Sequence, residues 1–411
     1  MLKRLTNFSL KMFTVLFPSQ KPLLFAGPDS TIQLASLAQA SGSKRPLLVT
    51  EKFLLKLGLL DEVLEHFKNQ GCEVTVFDGI IPNPTYEVIE AGIRACKEND
   101  CDSVFAVGGG SAIDAAKTIA ACYSNEISVE QVVGLLKVKK PTLPFYVVPT
   151  TSGTGSEVTN SAVISETQTH QKKFVVDPKL IPSAAALDPN MLKSLPPHIT
   201  AATGMDALTH AMESYTSVNR FSDAERDAKL AVKLLLEHLP VVYEDGKNLE
   251  SRQLVALASF LAAYSFNKSG LGYVHAISHQ LSAHYNTPHG LTNAVILPRV
   301  LRFNKPACSN RFANLERMLS GTNGGSDEQL ADRFIARVDA LSERLNIPSG
   351  FKELERKHFD AITSKALKEA RSFYAVPRLM NRAQCKEILA SISQEAQAGS
   401  HGAQQLVSVA I

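Results

Sequence analysis

The sequence predicts two parts of different architecture: an α/β domain with a mostly parallel, Rossmann-like sheet, and an all-α domain after it. Short apolar runs alternate with helical patterns from about residue 22 to 190, whereas helical patterns continue almost without a break after Pro196-Pro197. Alternating strands and helices are typical of a parallel sheet covered by helices. The chain has 411 residues, which is more than a domain with a single hydrophobic core usually contains, about 250–300 residues. We therefore expect domains over residues 1–195 and 196–411.

The first domain begins with strands and helices in alternation. We predict strands at 46–50, 72–77, 103–107, 145–148, 162–165 and 184–187, and helices at 53–69 and 86–97. The strand at 103–107 (SVFAV) is predicted to be buried, and Gly108-Gly109-Gly110 follows it directly. A helix is expected from Ser111. This strand, turn and helix form the best-defined local unit of the sequence.

The second domain is predicted to consist of long helices. Segments rich in Ala, Leu and Glu cover 199–217, 221–238, 250–267, 271–284, 291–303 and 326–345. The last residues, from Gln394 to Ile411, lose this periodicity and are rich in Gln, Ala, Gly and Ser. We expect them to form a mobile tail.

Composition and charge exclude several classes of protein. Hydrophobic residues make up 45% of the chain and charged residues 20%, which is typical of a folded globular protein. The net charge is +3 without a dense basic run, so no nucleic-acid partner is expected. Polar residues interrupt the N-terminal segment MLKRLTNFSLKMFTVLFPSQ, so we expect neither a signal peptide nor a membrane anchor. Six cysteines without metal-site or redox-dithiol spacing predict reduced thiols and a cytoplasmic protein.

Two glycine-containing loops follow predicted strands. In the turn Gly108-Gly109-Gly110-Ser111, backbone N–H groups and the positive end of a helix dipole can receive a phosphate. The alternative is a tight turn with no ligand, and the GxGxxG fingerprint is absent. The second loop, at 149–157 (PTTSGTGSE), adds hydroxyl and amide donors at the end of another strand. Two such loops favour a nucleotide crevice.

Glu51 follows the predicted strand PLLVT. A carboxylate there can accept hydrogen bonds from a ribose diol and repel a 2′-phosphate, which would favour NAD over NADP. The alternative is an ordinary acidic residue at a helix N-terminus.

The helical part carries a histidine-rich pattern. Asp206 and His210 lie four residues apart on one helix face, and His275, His279, His284 and His289 follow within fifteen residues. A carboxylate with two or three imidazoles suits a divalent metal, with Fe(II) and Zn(II) the leading candidates. Spacing leaves open whether His279 or His289 completes the set, because one lies a helical turn after His275 and the other follows a turn.

These motifs closely resemble those of the iron-containing, or group III, alcohol dehydrogenase family. The resemblance runs from about residue 22 to 392 through Asp78-Gly79-Ile80-Ile81-Pro82-Asn83-Pro84, the two glycine loops, Gly204-Met205-Asp206-Ala207-Leu208-Thr209-His210 with Glu213, and residues 270–290. It implies an N-terminal nucleotide-binding domain, a helical C-terminal domain, and NAD and a divalent metal between them. It further implies a homodimer.

The resemblance also implies roles for individual residues. The metal ligands would be Asp206, His210, His275 and His289, with His279 an active-site histidine beside the nicotinamide. The cofactor contacts would be Glu51, Asn83, Gly109, Gly110, Ser111, Asp114, Thr150, Thr151, Thr154 and Lys172. The lysine could be Lys172 or Lys173, and the ungapped count back from Asp177-Pro178 favours Lys172. Two positions depart from the usual pattern: Glu51 stands where Asp is common, and Val376 precedes Pro377-Arg378 where Asn is frequent.

The resemblance implies a dehydrogenase that passes hydride between NAD(H) and a primary alcohol or aldehyde, with His279 in a proton path. Fe(II) is the first expectation for the metal and Zn(II) the alternative. Three rivals remain: a glycerol or other polyol dehydrogenase, an enzyme similar to dehydroquinate synthase, and a catalytically idle nucleotide sensor. The dehydroquinate-synthase alternative needs several cationic groups near the metal, and segments 204–217 and 266–290 contain only Lys268.

Overall fold

The computed structural model describes residues 11–12, 14–15, 20–168, 171–322 and 324–393. The tail predicted from Gln394 to Ile411 and most of the N-terminal segment lie outside these residues. Strands β1–β9 span Leu23–Ala26, Pro46–Val49, Thr75–Phe77, Ser103–Gly108, Gly134–Leu135, Phe145–Pro149, Ser161–Ser165, Lys172–Val176 and Ala184–Leu187. Helices α1–α6 span Ser30–Ala40, Lys52–Lys56, Asp61–Asn69, Tyr86–Glu98, Gly110–Asn125 and Val129–Val132.

A six-stranded parallel sheet organises the first half of the chain. Its strand order is β1-β9-β6-β4-β2-β3, and every pairing is parallel. The strands β2, β4, β6 and β9 are buried along their whole length, because apolar cores lie on both faces of the sheet. Continuous apolar runs in these strands fit this burial, and the predicted α/β class is confirmed.

The second half is helical. Helices α7–α14 span Pro197–Thr216, Ser222–Glu244, Leu249–Ser269, Tyr273–Tyr285, His289–Ser320, Asp327–Arg344, Phe359–Phe373 and Arg382–Ile392. They enclose a single large apolar cluster that includes Tyr215, Phe260 and Phe312. The strand β9 ends at Leu187 and α7 begins at Pro197, while the domain boundary near residue 195 stays a prediction. None of the helices in the described part of the chain is long and apolar enough to cross a bilayer.

Several elements differ from the sequence-based expectation. The helix predicted at 53–69 is two helices, because Gly58 adopts a positive φ of 68° that ends α2. The strand predicted at 72–77 is shorter, beginning at Thr75. The strand predicted at 162–165 belongs to a separate sheet, of order β5-β8-β7, where it pairs antiparallel with β8.

Other elements were missed or too short. The strands β1, β5 and β8 and the helices α1, α6, α13 and α14 were not predicted. The helix predicted at 291–303 continues to Ser320 with Pro298 and Pro306 inside it. A proline removes one backbone donor, but the ring of Phe312 stacks on Phe334 of α12 at 5.7 Å, and such packing beyond Pro306 holds the helix together.

Candidate functional site

The carboxyl ends of three neighbouring strands bring the predicted cofactor residues together. β4 pairs with β6 so that Gly108 lies beside Pro149, and the N–H of Thr150 donates to the Gly108 carbonyl at 3.0 Å. β2 lies on the other side of β4 and leads into Glu51. In a parallel sheet this edge is where ligands bind.

The glycine turn leaves the start of α5 open to an anion. α5 begins at Gly110, and no side chain of the described residues caps its N-terminus. A Cβ atom on Gly110 would lie 2.8 Å from the Thr154 hydroxyl and methyl group, so only glycine leaves space there. Ser111 lies in the first turn, where its Oγ accepts the Asn83 N–H at 3.3 Å. Free backbone donors and a helix N-terminus fit the pyrophosphate of a dinucleotide.

Glu51 faces this turn. Its Oε1 accepts the Gly109 N–H at 3.4 Å, and burial raises the pKa of its carboxyl above the ordinary value. A Cβ added to Gly109 would lie 3.6 Å from the side chain of Thr151 and 3.8 Å from Oε1 of Glu51. Glu51, Gly109 and Thr151 therefore line one side of the turn.

Asp114 lies in a buried network rather than at an open surface. One carboxylate oxygen accepts the Ser156 hydroxyl and the other accepts the Val163 N–H at 2.9 Å. Nearby, the Lys117 ammonium donates to the carbonyls of Thr159 and Ser161, both at 2.8 Å. Asp114 thus holds Ser156 of the loop after β6 and Val163 of β7, and its predicted contact with the cofactor stays a prediction.

Lys172 and Lys173 have different neighbours. The pKa of Lys172 is lowered by burial and partly restored by the carboxylates of Asp114 and Asp206. Lys173 instead pairs with Glu166 at 3.4 Å at the surface. Lys172 thus lies between the sheet edge and the helical cluster.

The four predicted metal-binding side chains converge from three helices. Asp206 and His210 lie on α7, His275 on α10, and His289 is the first residue of α11. Oδ1 of Asp206 lies 3.9 Å from Nε2 of His210, 3.8 Å from Nε2 of His275 and 3.7 Å from Nε2 of His289. Gly290 allows this approach, because a Cβ there would lie 2.6 Å from the Ala202 carbonyl of α7.

The ligand atoms of Asp206, His210 and His275 all lie within 4.8 Å of one another, as a single metal ion requires. His289 approaches Oδ1 of Asp206 but is not part of this three-residue group, so its place as a fourth ligand stays a prediction. Two bonds of about 2.0–2.3 Å at tetrahedral to trigonal angles hold their ligand atoms about 3.3–4.0 Å apart. Burial raises the pKa of Asp206, but the three surrounding imidazoles lower it to a net value below the ordinary one, which favours the carboxylate. One carboxylate and three imidazole nitrogens suit Fe(II) or Zn(II).

Hydrogen bonds to Nδ1 turn two of the imidazoles toward Asp206. Nδ1 of His210 lies 3.2 Å from the Gly153 carbonyl in the loop after β6. Nδ1 of His275 lies 2.7 Å from Oε2 of Glu213. This oxygen also accepts the Gly272 N–H, while Oε1 of Glu213 accepts the Val274 N–H. Burial lowers the pKa of His275 well below its usual value. A neutral ring that donates from Nδ1 presents a lone pair at Nε2, as a metal ligand requires.

Asn293 was not found by sequence reasoning. It is fully buried, and its Nδ2 lies 2.7 Å from Oδ1 of Asp206, 3.1 Å from Nε2 of His275 and 3.2 Å from Nε2 of His289. Its position four residues after His289 on α11 was the available signal, since residues at this spacing share a helix face.

His279 lies beside the cluster with a different partner. Its ring stacks on His289 with centroids 5.4 Å apart, and the ring of Phe174 on β8 lies 6.3 Å away. Nδ1 of His279 lies 2.7 Å from Oε1 of Glu369 on α13. His275 and His279, which lie on the same helix, therefore have different hydrogen-bond partners.

A dinucleotide-type sheet edge facing a carboxylate–imidazole cluster defines a metal-dependent oxidoreductase. Two family models match the chain: "Iron-containing alcohol dehydrogenase" over residues 22–189 and "Fe-containing alcohol dehydrogenase family, C-terminal" over residues 200–393. The chain therefore belongs to the iron-containing alcohol dehydrogenase family.

Individual relatives agree with this assignment. The chain is 37% identical over 370 residues to the 1,3-propanediol dehydrogenase of Klebsiella pneumoniae, which covers 89% of this chain and 95% of that protein. It is 35% identical over 340 residues to the NAD-dependent methanol dehydrogenase of Bacillus methanolicus, covering 82% and 89%. A crystal structure of 1,3-propanediol oxidoreductase matches with a TM-score of 0.86 at 36% identity, over 90% of this chain and 98% of that one.

Proposed function

We propose that this protein is an NAD-dependent, metal-dependent dehydrogenase of small primary alcohols that also reduces the corresponding aldehydes. The observation that carries the proposal is the meeting of two sites: the loop after β6 supplies one wall of the glycine turn and also accepts a hydrogen bond from His210. Relatives named for 1,3-propanediol and methanol support a small primary alcohol as the substrate.

Asp206, His210, His275 and His289 would hold the metal, with Fe(II) the first candidate and Zn(II) the second. When bound, the metal would polarise the substrate oxygen, and the nicotinamide would exchange a hydride with the substrate carbon. The turn Gly109-Gly110-Ser111 would bind the pyrophosphate through its backbone donors. Asn83, Thr150, Thr151, Thr154 and Lys172 would line the remaining cofactor path. The carboxylate of Glu51 would face the adenosine ribose and disfavour the 2′-phosphate of NADP.

Other side chains of the cleft would control water and protons. Phe266 stacks on His210 with centroids 4.4 Å apart, and Phe174 lies beside His279. These apolar rings would exclude water from the reacting atoms. His279 would exchange a proton with the substrate hydroxyl, since a neutral imidazole has one ring nitrogen that accepts a proton and one that donates.

The alternatives are less well supported by the contacts. Lys268, the one cationic residue of segments 204–217 and 266–290, has its ammonium 2.6 Å from Oδ2 of Asp223. A dehydroquinate-type substrate with phosphate and carboxylate groups would need several such cations. An idle nucleotide sensor would not need carboxylate partners that orient histidines. One relative is named for a diol, 1,3-propanediol, so a polyol dehydrogenase stays the second candidate function. Glycerol is the substrate that tests it.

A homodimer and a cytoplasmic location complete the proposal. Family resemblance supports the dimer. The six cysteines, each with a free thiol in the structure, accord with a reducing compartment.

The test is a turnover assay with metal analysis. The purified protein would be loaded anaerobically with Fe(II) or Zn(II) and assayed with methanol, ethanol, 1,3-propanediol, glycerol and the matching aldehydes, using NAD(H) and NADP(H). We expect turnover of a primary alcohol with NAD that is lost on chelation and restored by metal. Undiminished turnover by metal-free protein would contradict the metal's role. Turnover of glycerol alone would select the polyol alternative, and no turnover of any substrate would contradict the proposal.

A further inference from the structure

The inference concerns the carboxylate that contacts His279. Two histidines on α10, His275 and His279, lie one turn apart, and each has Nδ1 2.7 Å from a glutamate oxygen on another helix. For His275 that glutamate is Glu213, and the opposite ring nitrogen faces the metal ligands. For His279 it is Glu369, and no residue described in the structure makes a hydrogen bond to Nε2.

Glu369 is itself held in place. Its Oε1 also accepts the Tyr374 hydroxyl at 2.6 Å, and its Oε2 accepts the side-chain amide of Gln280 at 2.8 Å. The side chains of Glu369 and His279 are only 20% and 18% exposed, so water competes weakly for these bonds. A carboxylate fixed by two other donors can hold the imidazole in one orientation.

We propose that Glu369 is a positioning residue that fixes the Nδ1–H tautomer of His279 and so keeps the Nε2 lone pair facing the cleft. A carboxylate can only accept a hydrogen bond from the ring nitrogen, so Nδ1 must carry the proton and Nε2 of the neutral ring must be the acceptor. The ring stacks on His289 with centroids 5.4 Å apart and lies 5.7 Å from the ring of His275, so His279 is a direct neighbour of two of the proposed metal ligands.

This proposal rests on the proposed function for its effect on turnover. Alcohol oxidation requires a group that accepts the hydroxyl proton. Nε2 of His279 can accept that proton only while Nδ1 carries the ring's own proton. Without Glu369 the neutral ring can also place its proton on Nε2, which is then a donor and cannot accept. The ring can also rotate, since nothing else described in the structure holds Nδ1.

The tautomer can be measured without any assay of activity. The protein labelled with ¹⁵N-histidine and loaded with Zn(II), which is diamagnetic, gives ring nitrogen signals that distinguish a protonated from an unprotonated nitrogen. The His279 signals are those absent from a His279→Asn variant. We expect wild type and Glu369→Gln, whose amide oxygen can still accept from Nδ1, to show a proton on Nδ1. Glu369→Ala should show substantial protonation at Nε2. A wild-type ring protonated at Nε2, or an unchanged pattern in Glu369→Ala, would overturn the proposal.

Measurements of turnover in the same variants provide a second test of the positioning role. Glu369→Ala should lower kcat at least tenfold, with metal content and KM for NAD within twofold of wild type, and Glu369→Gln should recover most of the loss. Lys368→Ala, at an exposed neighbouring position on α13, is the matched control and should behave as wild type. Loss of metal in Glu369→Ala, or no recovery in Glu369→Gln, would overturn the positioning role. An inactive wild type would instead contradict the proposed function and leave the tautomer measurement as the decisive test.

Discussion

His275 and His279 each have Nδ1 next to a glutamate oxygen, but the two glutamates differ in how rigidly their own hydrogen bonds hold them. Glu213 is fully enclosed and accepts two backbone N–H groups at the start of α10 as well as Nδ1 of His275. Glu369 is partly exposed and held by two side chains instead. Backbone donors cannot change rotamer, so the first pair is the more rigid. A rigid pair suits a metal ligand, whereas a pair at the cleft surface suits a group that exchanges protons.

The largest effect should follow the removal of His275. His275→Ala deletes one ligand and leaves the Glu213 carboxylate without its imidazole partner, so we expect metal content to fall to background and turnover with it. Metal analysis of the purified variant after loading and gel filtration checks this. Stoichiometric metal with normal turnover would remove His275 from the site.

Glu213 offers a sharper test of the comparison. Glu213→Gln keeps the shape but replaces one acceptor oxygen by an amide N–H₂ group that opposes an N–H donor, so the contacts that hold the start of α10 and Nδ1 of His275 can no longer all form. The glutamine keeps one acceptor oxygen, so its amide N–H₂ opposes either Val274 N–H or the pair of Gly272 N–H and Nδ1 of His275. We expect metal affinity to fall by up to about 10–100-fold, together with a lower thermal midpoint, measured by metal titration and calorimetry. Equal metal affinity in Glu213→Gln and wild type would show that the first pair does not orient the ligand.

A substitution at Gly110 tests the cofactor site at the sheet edge, which is separate from the Glu213–His275 and Glu369–His279 pairs. Gly110→Val places a branched side chain against Thr154 and in the way of a phosphate, so the dissociation constant of NAD should rise at least tenfold, or about 1.4 kcal/mol. Titration of the zinc-loaded protein with NADH, followed by fluorescence, measures it, and metal content should stay unchanged. Normal affinity would place the cofactor elsewhere.

The smallest expected effect is at Glu51. Glu51→Gln removes the charge that opposes a 2′-phosphate, so the preference for NAD over NADP in kcat/KM should shrink by about tenfold, or about 1.4 kcal/mol. The alcohol KM is the internal control and should not change. A wild type that uses both cofactors equally well would discredit this role for Glu51.

The parts of the site that sequence could predict are those encoded locally. The strand, glycine turn and helix from residue 103 onward follow each other along the chain, so periodicity and turn chemistry are sufficient to predict them. Asp206 and His210 share a face by helical spacing alone. The choice between His279 and His289 depended on family resemblance, because α10 ends and α11 begins between them.

Tertiary partners could not be predicted in this way. Glu369 is 90 positions from His279, on the helix α13 that was not predicted. Glu213 was found in the family pattern, but its bond to His275 depends on how α7 packs against α10. The antiparallel pairing of β7 was missed because its partner β8 begins with two lysines and was not predicted as a strand.

We propose that His289 holds the metal and that His279 does not. The metal content of His279→Ala and His289→Ala, prepared side by side and loaded with the same excess of Zn(II) before gel filtration, distinguishes the two roles. We expect near-stoichiometric zinc in His279→Ala, with turnover lowered roughly 10- to 10,000-fold by loss of a proton-transfer group, and little zinc in His289→Ala. Zinc retained by His289→Ala and lost by His279→Ala would contradict it.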